Sequence, residues 1–445
     1  MLKIRLTKAQ KAANVPPDAG TALESAWETL LAGARLKKNG CGWMNLPEQD
    51  LSALNEMGRE LARFGQIVLI GIGGSALGTQ MLMNAFCEPL YPFSAESGQP
   101  QLFVADNADA RSNKAIWAQL EPRRAALLVV SKSGRTLETL SNFLFFREKL
   151  SAALGADVEK HIFAVTDPDK GFLHAYAAEK KTRCLDFPAD TGGRYSVLSA
   201  CGLAAAAALG IDAERLLAGA AAMKKALLED TAGCAATAIA REVLRGEAAG
   251  RSVTVFWSYG DRLKSAGEWF AQLWGESLGK NGLGLTPQPA LGSIDQHSQL
   301  QLYTSGPNDK FFFFLSEKPG TEGRLAIPDG KLFDEARYLD GISQESILDC
   351  ERRGVVASLK RRGLPLCEIE LERTDEFCLG GLIFLLETVT ALVGLALGVD
   401  PFDQPGVEEG KNYALALCGS ADYAGCLKTL EDIEAGSKSA VFSVE

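Results

Sequence analysis

The stretch IVLIGIGGSALG, residues 67–78, decides the fold class. An apolar, β-branched run ends in closely spaced glycines, and a helical pattern begins directly after them at Ala76. A strand that is apolar on both faces indicates a parallel sheet covered by helices on each side. The glycines at positions 71, 73 and 74 predict a tight strand-to-helix turn at the edge of that sheet.

The same alternation of short apolar runs and helical stretches continues along the chain, as in doubly wound α/β folds. The first series of predicted strands is Ile67–Ile72, Gln101–Ala105, Ala125–Ser131, His161–Val165 and a weaker Thr182–Asp186. The second series is Ser252–Tyr259, Lys310–Ser316 and Leu364–Leu371. Helical stretches over 213–228 and 235–246 separate the two series. We therefore predict two α/β units of similar construction that pack directly on one another.

Composition and charge narrow the class of protein. The 445 residues are 47% hydrophobic and 23% charged, which is ordinary for a globular chain of several domains. The formal net charge of −10 argues against nucleic acid or acidic lipid as a partner, but not against a small anion held by a local cluster of donors. Ten dispersed Cys and an N-terminus without a signal-peptide core favour the reducing cytoplasm.

One apolar stretch, residues 378–398, is close to the length of a membrane span. Glu387 lies in its middle, and Asp375, Glu376 and Asp400 flank it. A carboxylate at the centre of a bilayer costs at least a few kcal/mol. We therefore predict a buried helix of a large domain and no membrane partner.

The glycine-rich turn is a first candidate for anion binding, because a helix N-terminus presents unpaired N–H groups. Its Gly71-x-Gly73-x-x-Ala76 spacing resembles a dinucleotide-binding fingerprint only loosely, since no acidic residue ends a strand about 20 residues further on. A tight turn that binds nothing explains the glycines about equally well.

A second candidate for anion binding is SKSGRTLET, residues 131–139, again where a strand ends and a helix begins. The loop carries three hydroxyls and two cations, which are Ser131, Ser133, Thr136, Lys132 and Arg135. These are the donors that a phosphate monoester requires. An ordinary helix cap at Thr136 also explains the pattern, and both explanations hold together because a cap satisfies only some N–H groups. Both turns follow neighbouring strands, so we expect them at one carboxyl edge, where such sheets bind ligands.

Three further residues are candidates for charge stabilisation or proton transfer. Arg194, after two glycines, is either a surface charge or a fixed cation for a developing negative charge. Glu276 ends a helix rich in Trp and Phe, and a carboxylate beside apolar groups is a stronger base than one in water, although most Glu simply lie on helix surfaces. His297, one of three His, lies among polar residues and is the best candidate for proton transfer near neutral pH. No paired His or Cys spacing supplies a metal-ligand set.

The last candidate segment is VDPFDQPGVEEGK, residues 399–411, which follows the long apolar helix. If the chain turns helical after Pro405, the side chains of Gln404, Glu408 and Lys411 lie on one face. The alternative is a loop and an exposed helix start.

Taken in this order, the motifs resemble those of the glucose-6-phosphate isomerase family, in the shorter form typical of many bacteria. The resemblance covers residues from about 65 to 415. It is most specific over 398–411, which is similar to the signature Phe-Asp-Gln-x-Gly-Val-Glu-x-x-Lys of that family. The stretches GIGGS, SKSGRTLET, GGRYS and GESLGK are similar to the other landmarks.

The resemblance implies two sugar isomerase (SIS) domains, each an α/β/α sandwich with a mainly parallel sheet, and helical segments at both ends of the chain. The boundaries we expect are 1–50 for an N-terminal helical extension, 51–209 and 210–400 for the two SIS domains, and 401–445 for the C-terminal segment. The implied activity is reversible isomerisation of glucose 6-phosphate to fructose 6-phosphate through a cis-enediol, by a cytoplasmic homodimer without metal or organic cofactor.

The resemblance also implies a role for each candidate residue. The implied phosphate-binding residues are Ser131, Lys132, Ser133 and Thr136, and the implied sugar-binding residues are Gly74, Ser75 and Gln404. Arg194 is expected to stabilise the enediolate, and Glu276 to move the proton between C2 and C1. His297, supplied to the site of the partner subunit, is expected to open the sugar ring with Lys411.

The sequence departs from the family pattern at two places. Arg135 replaces the usual Ser or Thr, and either tightens phosphate binding or points to solvent. The residues before His297 follow the family form only loosely, so the partner of this His stays open. A non-catalytic SIS-domain sugar-phosphate sensor is the main alternative, but it has no need of Glu276, His297 and Lys411. A nucleotide-dependent enzyme using the Gly71 turn ranks far below both.

Overall fold

The computed structural model describes residues 2–8, 19–89, 91, 98–320, 325–328, 334–437 and 442. The strands are β1 Leu2–Thr7, β2 Gln66–Ile70, β3 Gln101–Ala105, β4 Ala125–Ser131, β5 Ile162–Thr166, β6 Arg183–Asp186, β7 Val253–Tyr259, β8 Thr286–Gly292, β9 Lys310–Glu317 and β10 Leu366–Leu371. The α-helices are α1 Ala19–Leu36, α2 Ser52–Ala62, α3 Leu77–Phe86, α4 Ala110–Gln119, α5 Leu137–Leu154, α6 Phe172–Lys180, α7 Ala200–Ala208, α8 Ala213–Glu229, α9 Ala235–Ala248, α10 Lys264–Leu278, α11 Leu300–Ser305, α12 Gln344–Arg361, α13 Glu376–Ala396, α14 Glu408–Leu417 and α15 Gly425–Gly436.

The first sheet contains the first predicted series of strands, in the order β3-β2-β4-β5-β6, and every neighbouring pair is parallel. Strands β2 and β4 are buried along their whole length, which matches their uninterrupted apolar runs. The chain goes from β2 to β3 on one side and then crosses back to β4 on the other. The reversal between β2 and β4 brings the two predicted turns side by side.

The second sheet has the order β1-β10-β9-β7-β8. Strands β7, β9 and β10 confirm the second predicted series, but two edge strands were not predicted. Strand β8 carries Pro287 and Pro289, which weaken a strand pattern and suit only an edge position. Strand β1 comes from the predicted N-terminal helical extension and pairs antiparallel with β10, so that extension contains a strand as well as helix.

Helix α13 is the apolar stretch around Glu387, and it lies in the core of the molecule. Seventeen successive residues, 378–394, are buried, and the helix packs against α1, α8, α9 and α10. It is long and apolar enough to cross a membrane by composition, but its residues are covered by protein. The prediction of a buried helix is confirmed.

The chain separates into two compact units, Met1–Phe402 and Asp403–Glu445. Both sheets belong to the first unit. In the second, a 3-10 helix over Pro405–Val407 leads into α14, so the predicted helical turn after Pro405 is confirmed. The boundaries expected for the two SIS domains stay predictions.

Candidate functional site

The glycine-rich turn and the hydroxyl-rich loop lie at the same edge of the first sheet. Ile70 at the end of β2 pairs with Val129 near the end of β4, so the segments that follow start side by side. A Cβ built on Gly71 would lie only 3.1 Å from the carbonyl oxygen of Val130, so only a glycine lets these backbones approach so closely. Convergence of the two turns, predicted from the sequence, is confirmed.

The hydroxyl-rich loop, Ser131–Thr136, places three hydroxyls close together at the start of α5. The Thr136 hydroxyl is 3.3 Å from that of Ser131 and 3.4 Å from that of Ser133. Within this loop Thr136 occupies the N-cap position, yet its side chain accepts no capping hydrogen bond from α5. Gly134 has φ of +61°, a left-handed turn that Gly adopts without strain. The loop therefore offers hydroxyls and first-turn N–H groups of α5 to an anion.

The Lys132 side chain points to a different part of the chain. Its ammonium group donates to the carbonyl oxygens of Ala189 and Thr191, both at 2.8 Å. It also lies 5.7 Å from the centre of the Phe187 ring. The backbone of Lys132 thus belongs to the hydroxyl-rich loop, while its ammonium group contacts the segment that precedes Arg194.

Arg194 is held in the interior by several acceptors. Only 1% of its side chain is exposed. Its Nε donates to the Ser277 hydroxyl at 2.8 Å, and one terminal nitrogen donates to the carbonyl oxygen of Pro401 at 2.6 Å. The other terminal nitrogen is 3.3 Å from a carboxylate oxygen of Glu276. A guanidinium fixed in this way has a defined position and cannot relax toward solvent.

Glu276 lies on the last turn of α10 and pairs with Arg194. Its other carboxylate oxygen accepts a hydrogen bond from Gln272 Nε2 at 3.0 Å. About a third of the side chain, 33%, stays exposed, so the carboxylate reaches the surface of the site while the paired guanidinium does not. Because Arg194 is buried, it is not a surface charge, and that alternative is excluded. Glu276 is oriented by its hydrogen bonds with Arg194 and Gln272.

Two glycines connect this pair to the first sheet. Gly73 has φ of +57°, and a Cβ there would lie 2.7 Å from Gln272 Nε2, the donor to Glu276. A Cβ on Gly74 would lie 2.2 Å from the carbonyl oxygen of Gly193, next to Arg194. The turn after β2 therefore packs against the backbone of Gly193 and Arg194 and against Gln272, the hydrogen-bond donor to Glu276. Ser75, which follows, is half-buried in the same turn.

Supporting residues of the pair were not predicted from the sequence. Gln272 stands four residues before Glu276, so helix spacing places both side chains on one face of α10, and this signal was available. Ser277 is adjacent to Glu276 in the chain, and its hydroxyl is 3.2 Å from that of Tyr195. Burial raises the pKa of Tyr195. Tyr195 therefore stays a neutral phenol that can donate to Ser277.

His297 lies outside this cluster of contacts. It ends a 3-10 helix over Ile294–Gln296, and its imidazole is exposed and makes no hydrogen bond to the part of the chain that the structure describes. Asp295 is not its partner, because this carboxylate accepts hydrogen bonds from Leu291 N, Ser298 and Gln299. Although burial opposes the effect, these donors hold the pKa of Asp295 below its usual value.

The remaining two predicted residues belong to the second unit. Lys411 lies on α14, where its ammonium group is 3.2 Å from the Glu408 carboxylate, and both side chains are largely exposed. Gln404 directly precedes the 3-10 helix of that unit. Among the described residues, no group of three or more His, Cys, Asp and Glu side chains is arranged to hold a metal ion.

The first sheet therefore carries a hydroxyl-rich loop at a helix N-terminus. The glycine turn at the same edge packs beside a buried guanidinium that is paired with a carboxylate about a third exposed. Such groups can hold a small phosphorylated anion and can exchange a proton beside a fixed positive charge. Fold and site together define an α/β protein with an anion-binding sheet edge next to a carboxylate–guanidinium pair.

The chain belongs to the phosphoglucose isomerase family, whose profile matches residues 49–288. A glucose-6-phosphate isomerase from Rubrobacter xylanophilus is 40% identical over 391 residues, which cover 86% of this chain and 90% of that relative. One from Carboxydothermus hydrogenoformans is 36% identical over 390 residues, covering 84% of this chain and 83% of the relative. The resemblance stated from the motifs is confirmed.

Solved structures agree on the fold. A hypothetical protein from Thermus thermophilus is similar with a TM-score of 0.84 and 33% identity, covering 94% of this chain and all, 100%, of that one. A glucose-6-phosphate isomerase from Chlamydia trachomatis is similar with a TM-score of 0.69 and 20% identity, covering 96% of this chain and 84% of that one. The predicted fold class, two SIS-type α/β/α sandwiches with mainly parallel sheets, is confirmed.

Proposed function

We propose that this chain interconverts glucose 6-phosphate and fructose 6-phosphate. The observation that carries the proposal is the pairing of Glu276 with the buried Arg194, whose backbone packs against the turn that neighbours the hydroxyl-rich loop. The names of the similar proteins, glucose-6-phosphate isomerase, support the same reaction.

The phosphate of the sugar is proposed to bind at Ser131–Thr136. The hydroxyls of Ser131, Ser133 and Thr136 and the N–H groups at the start of α5 are donors, which is what a dianion requires. Lys132 contributes its backbone to this loop. The sugar chain would then extend along Gly74 and Ser75 toward Arg194.

Proton transfer is assigned to Glu276. Moving the carbonyl between C1 and C2 requires one base that removes a proton from one carbon and returns it to the other. The Glu276 carboxylate is oriented by Gln272 and Arg194 and is accessible from the site. It takes a proton from C2 of the aldose, or from C1 of the ketose, and gives it back to the neighbouring carbon.

Charge stabilisation is assigned to Arg194. The enediol intermediate gathers negative charge on its oxygens when the proton leaves. A guanidinium fixed by Ser277 and Pro401 is already in place and needs no reorganisation at the moment of reaction. As Glu276 becomes neutral, Arg194 can shift its electrostatic interaction to the intermediate.

Ring opening is assigned to His297 and Lys411, and a sugar contact to Gln404, on the family resemblance. The exposure of His297, and its lack of a hydrogen-bond partner within the described chain, support a role in the site of a partner subunit. We therefore propose a homodimer that works in the cytoplasm on a sugar phosphate, without metal or organic cofactor.

A coupled assay tests this proposal. Purified protein receives fructose 6-phosphate together with a metal chelator, and glucose 6-phosphate is followed through a dehydrogenase that reduces NADP. Steady formation of glucose 6-phosphate, unchanged by the chelator, is expected. Saturable binding of fructose 6-phosphate without any turnover would instead identify a sugar-phosphate sensor and contradict the proposal.

A further inference from the structure

Lys132 belongs to the hydroxyl-rich loop, but its ammonium group contacts another segment of the chain. Its ammonium group donates to two backbone carbonyls, those of Ala189 and Thr191, at 2.8 Å each. Hydrogen bonds from a charged donor are about twice as strong as neutral ones. The same ammonium group lies over the Phe187 ring. These contacts define a tether from the phosphate loop to the segment 187–193.

The charges around the tether are compatible with an ammonium ion in a half-buried position. Burial lowers the pKa of Lys132, and the nearby ammonium of Lys170 acts in the same direction. The carboxylates of Asp167 and Asp190 act in the opposite direction and favour the charged form. Two carbonyl acceptors and two carboxylates therefore compensate part of the cost of desolvation, although the pKa of Lys132 stays below its usual value.

The tethered segment leads directly to Arg194. It contains Gly192 and Gly193, and the backbone of Gly193 lies so close to Gly74 that a Cβ on Gly74 would be 2.2 Å from the Gly193 carbonyl oxygen. A second attachment is the hydrogen bond from the Gly42 N–H to the carbonyl oxygen of Asp190, at 3.0 Å. The ends of the segment are held as well, by the hydrogen bond from the Phe187 N–H to the carbonyl oxygen of Thr166, at 2.7 Å, and by that from the Ser196 hydroxyl to the carbonyl oxygen of Gly193, at 2.7 Å. Lys132 holds the middle of the segment, at Ala189 and Thr191.

We propose that Lys132 is a positioning residue, which fixes the segment 187–193 so that Gly193 abuts Gly74 and Arg194 is aligned with bound substrate. It does so without contacting the phosphate through its side chain. This inference rests on the proposed function. The hydroxyls and N–H groups of the loop then bind phosphate, and the Lys132 side chain aligns Arg194.

The variant Lys132→Met tests the inference, because it keeps an unbranched side chain only one atom shorter and removes the charge and all three donors. Small misplacements of a catalytic group cost up to about 100-fold in rate, so kcat is expected to fall roughly 10- to 100-fold. The inhibition constant of inorganic phosphate is expected to stay within about twofold of wild type, because the variant keeps the hydroxyls and N–H groups that are proposed to bind phosphate. Lys149→Met is the matched control, because Lys149 is exposed on α5, and both kinetic values should be unchanged.

A second readout does not depend on turnover. Hydrogen–deuterium exchange of residues 187–196 is expected to be faster in Lys132→Met than in wild type, with exchange in β4 unchanged. If Lys132→Met does not give folded protein, Lys132→Gln, which keeps an amide donor, replaces it in all measurements. A wild-type protein without isomerase activity would overturn the proposed function. The exchange measurement would still test whether Lys132 holds the segment 187–193 in place.

Three outcomes overturn the inference. A tenfold or larger loss of phosphate inhibition would make the Lys132 side chain a phosphate ligand. An unchanged kcat would show that the tether does not align Arg194, even if thermal stability falls. Unchanged exchange in 187–196 would show that other contacts hold the segment.

Discussion

The carboxyl edges of the two sheets have the same topology and different chemistry. Strands β3-β2-β4-β5 of the first sheet and β8-β7-β9-β10 of the second follow the same order and connections. In each, ligand binding is expected where the order reverses, between β2 and β4 or between β7 and β9. The loops at these two places are Gly71–Ser75 with Ser131–Thr136, and Gly260–Leu263 with Glu317–Gly320.

The second edge contains a cavity of about 270 Å³, but the groups around it do not suit a phosphate dianion. Its charged lining residues are Asp261, Arg262, Glu317, Lys318, Glu345, Asp349 and Arg352. The carboxylates would repel a dianion, and Arg352 is already bound to Asp349 and Glu368. Topology thus determines where a loop lies, while the residues of the loop decide what it can bind.

The largest expected effect is at Glu276. If the reaction takes place at the carboxyl edge of the first sheet, Glu276→Gln removes the base. The kcat should then fall by roughly 10²- to 10⁴-fold, the usual contribution of a general base. Glu268→Gln, the same change at a position of the same helix whose side chain is 40% exposed, should leave kcat unchanged. Steady-state kinetics of both variants measure this. A near-wild-type rate for Glu276→Gln would remove this residue from the base role.

The next effect is at Arg194. Arg194→Ala removes the cation that is proposed to stabilise the intermediate, and losses of such groups cost on the order of 2 to 4 kcal/mol, so kcat should fall by roughly 10²- to 10³-fold. Lys318→Ala, which removes a cation from the second edge, should change neither kcat nor KM. A loss confined to KM in Arg194→Ala would contradict stabilisation of the intermediate.

A smaller effect is expected at the hydroxyls of the phosphate loop. Ser131→Ala removes one donor to a charged group, worth about 1.5 to 3 kcal/mol, and should raise KM for fructose 6-phosphate and the inhibition constant of phosphate together by roughly tenfold or more. Ser316→Ala, at the end of β9 in the second sheet, is the matched control and should raise neither. Equal increases in KM and in the inhibition constant for Ser131→Ala and Ser316→Ala would contradict the claim that only the edge of the first sheet binds phosphate.

The smallest effect concerns stability, at Glu387 in the buried helix α13. Both carboxylate oxygens of Glu387 are buried without a hydrogen-bond partner among the described residues, and burial raises its pKa well above the usual value. The folded chain therefore holds a proton that the unfolded chain releases, so stability falls as pH rises above the unfolded value of about 4.3.

Glu387→Gln removes this titration. From about pH 5 to about pH 8, the free energy of unfolding should decrease less in the variant than in wild type. Urea unfolding at several pH values measures the two slopes, and the activity of the folded variant serves to show that the site is intact. Parallel slopes would mean that Glu387 is ionised in the folded chain.

The fold was largely predictable because its strands are encoded locally. Uninterrupted apolar runs identified β2 and β4, whereas β8 was missed because Pro287 and Pro289 disguise an edge strand. Strand β1 was missed because it is a single short segment whose partner, β10, lies more than 350 residues away along the chain.

The site was predictable where it is contiguous in sequence. The hydroxyls of Ser131–Thr136 and the glycine turn are local patterns, and their meeting at one edge follows from sheet topology. The contacts of Arg194 with Ser277 and Pro401 are tertiary and have no local signal. The same holds for Lys132, whose charge suggests a phosphate ligand in sequence but which contacts carbonyls of a distant segment in space.

The central claim is that Glu276 moves a proton at the edge of the first sheet, and isotope exchange tests it most directly. Fructose 6-phosphate is converted in deuterium oxide, and the glucose 6-phosphate formed is examined by NMR for deuterium at C2. A proton held by a carboxylate exchanges with solvent, so the account predicts deuterium at C2 with wild-type protein and no product on the same timescale with Glu276→Gln. Product formed equally fast by the Glu276→Gln variant, with or without deuterium, would contradict it.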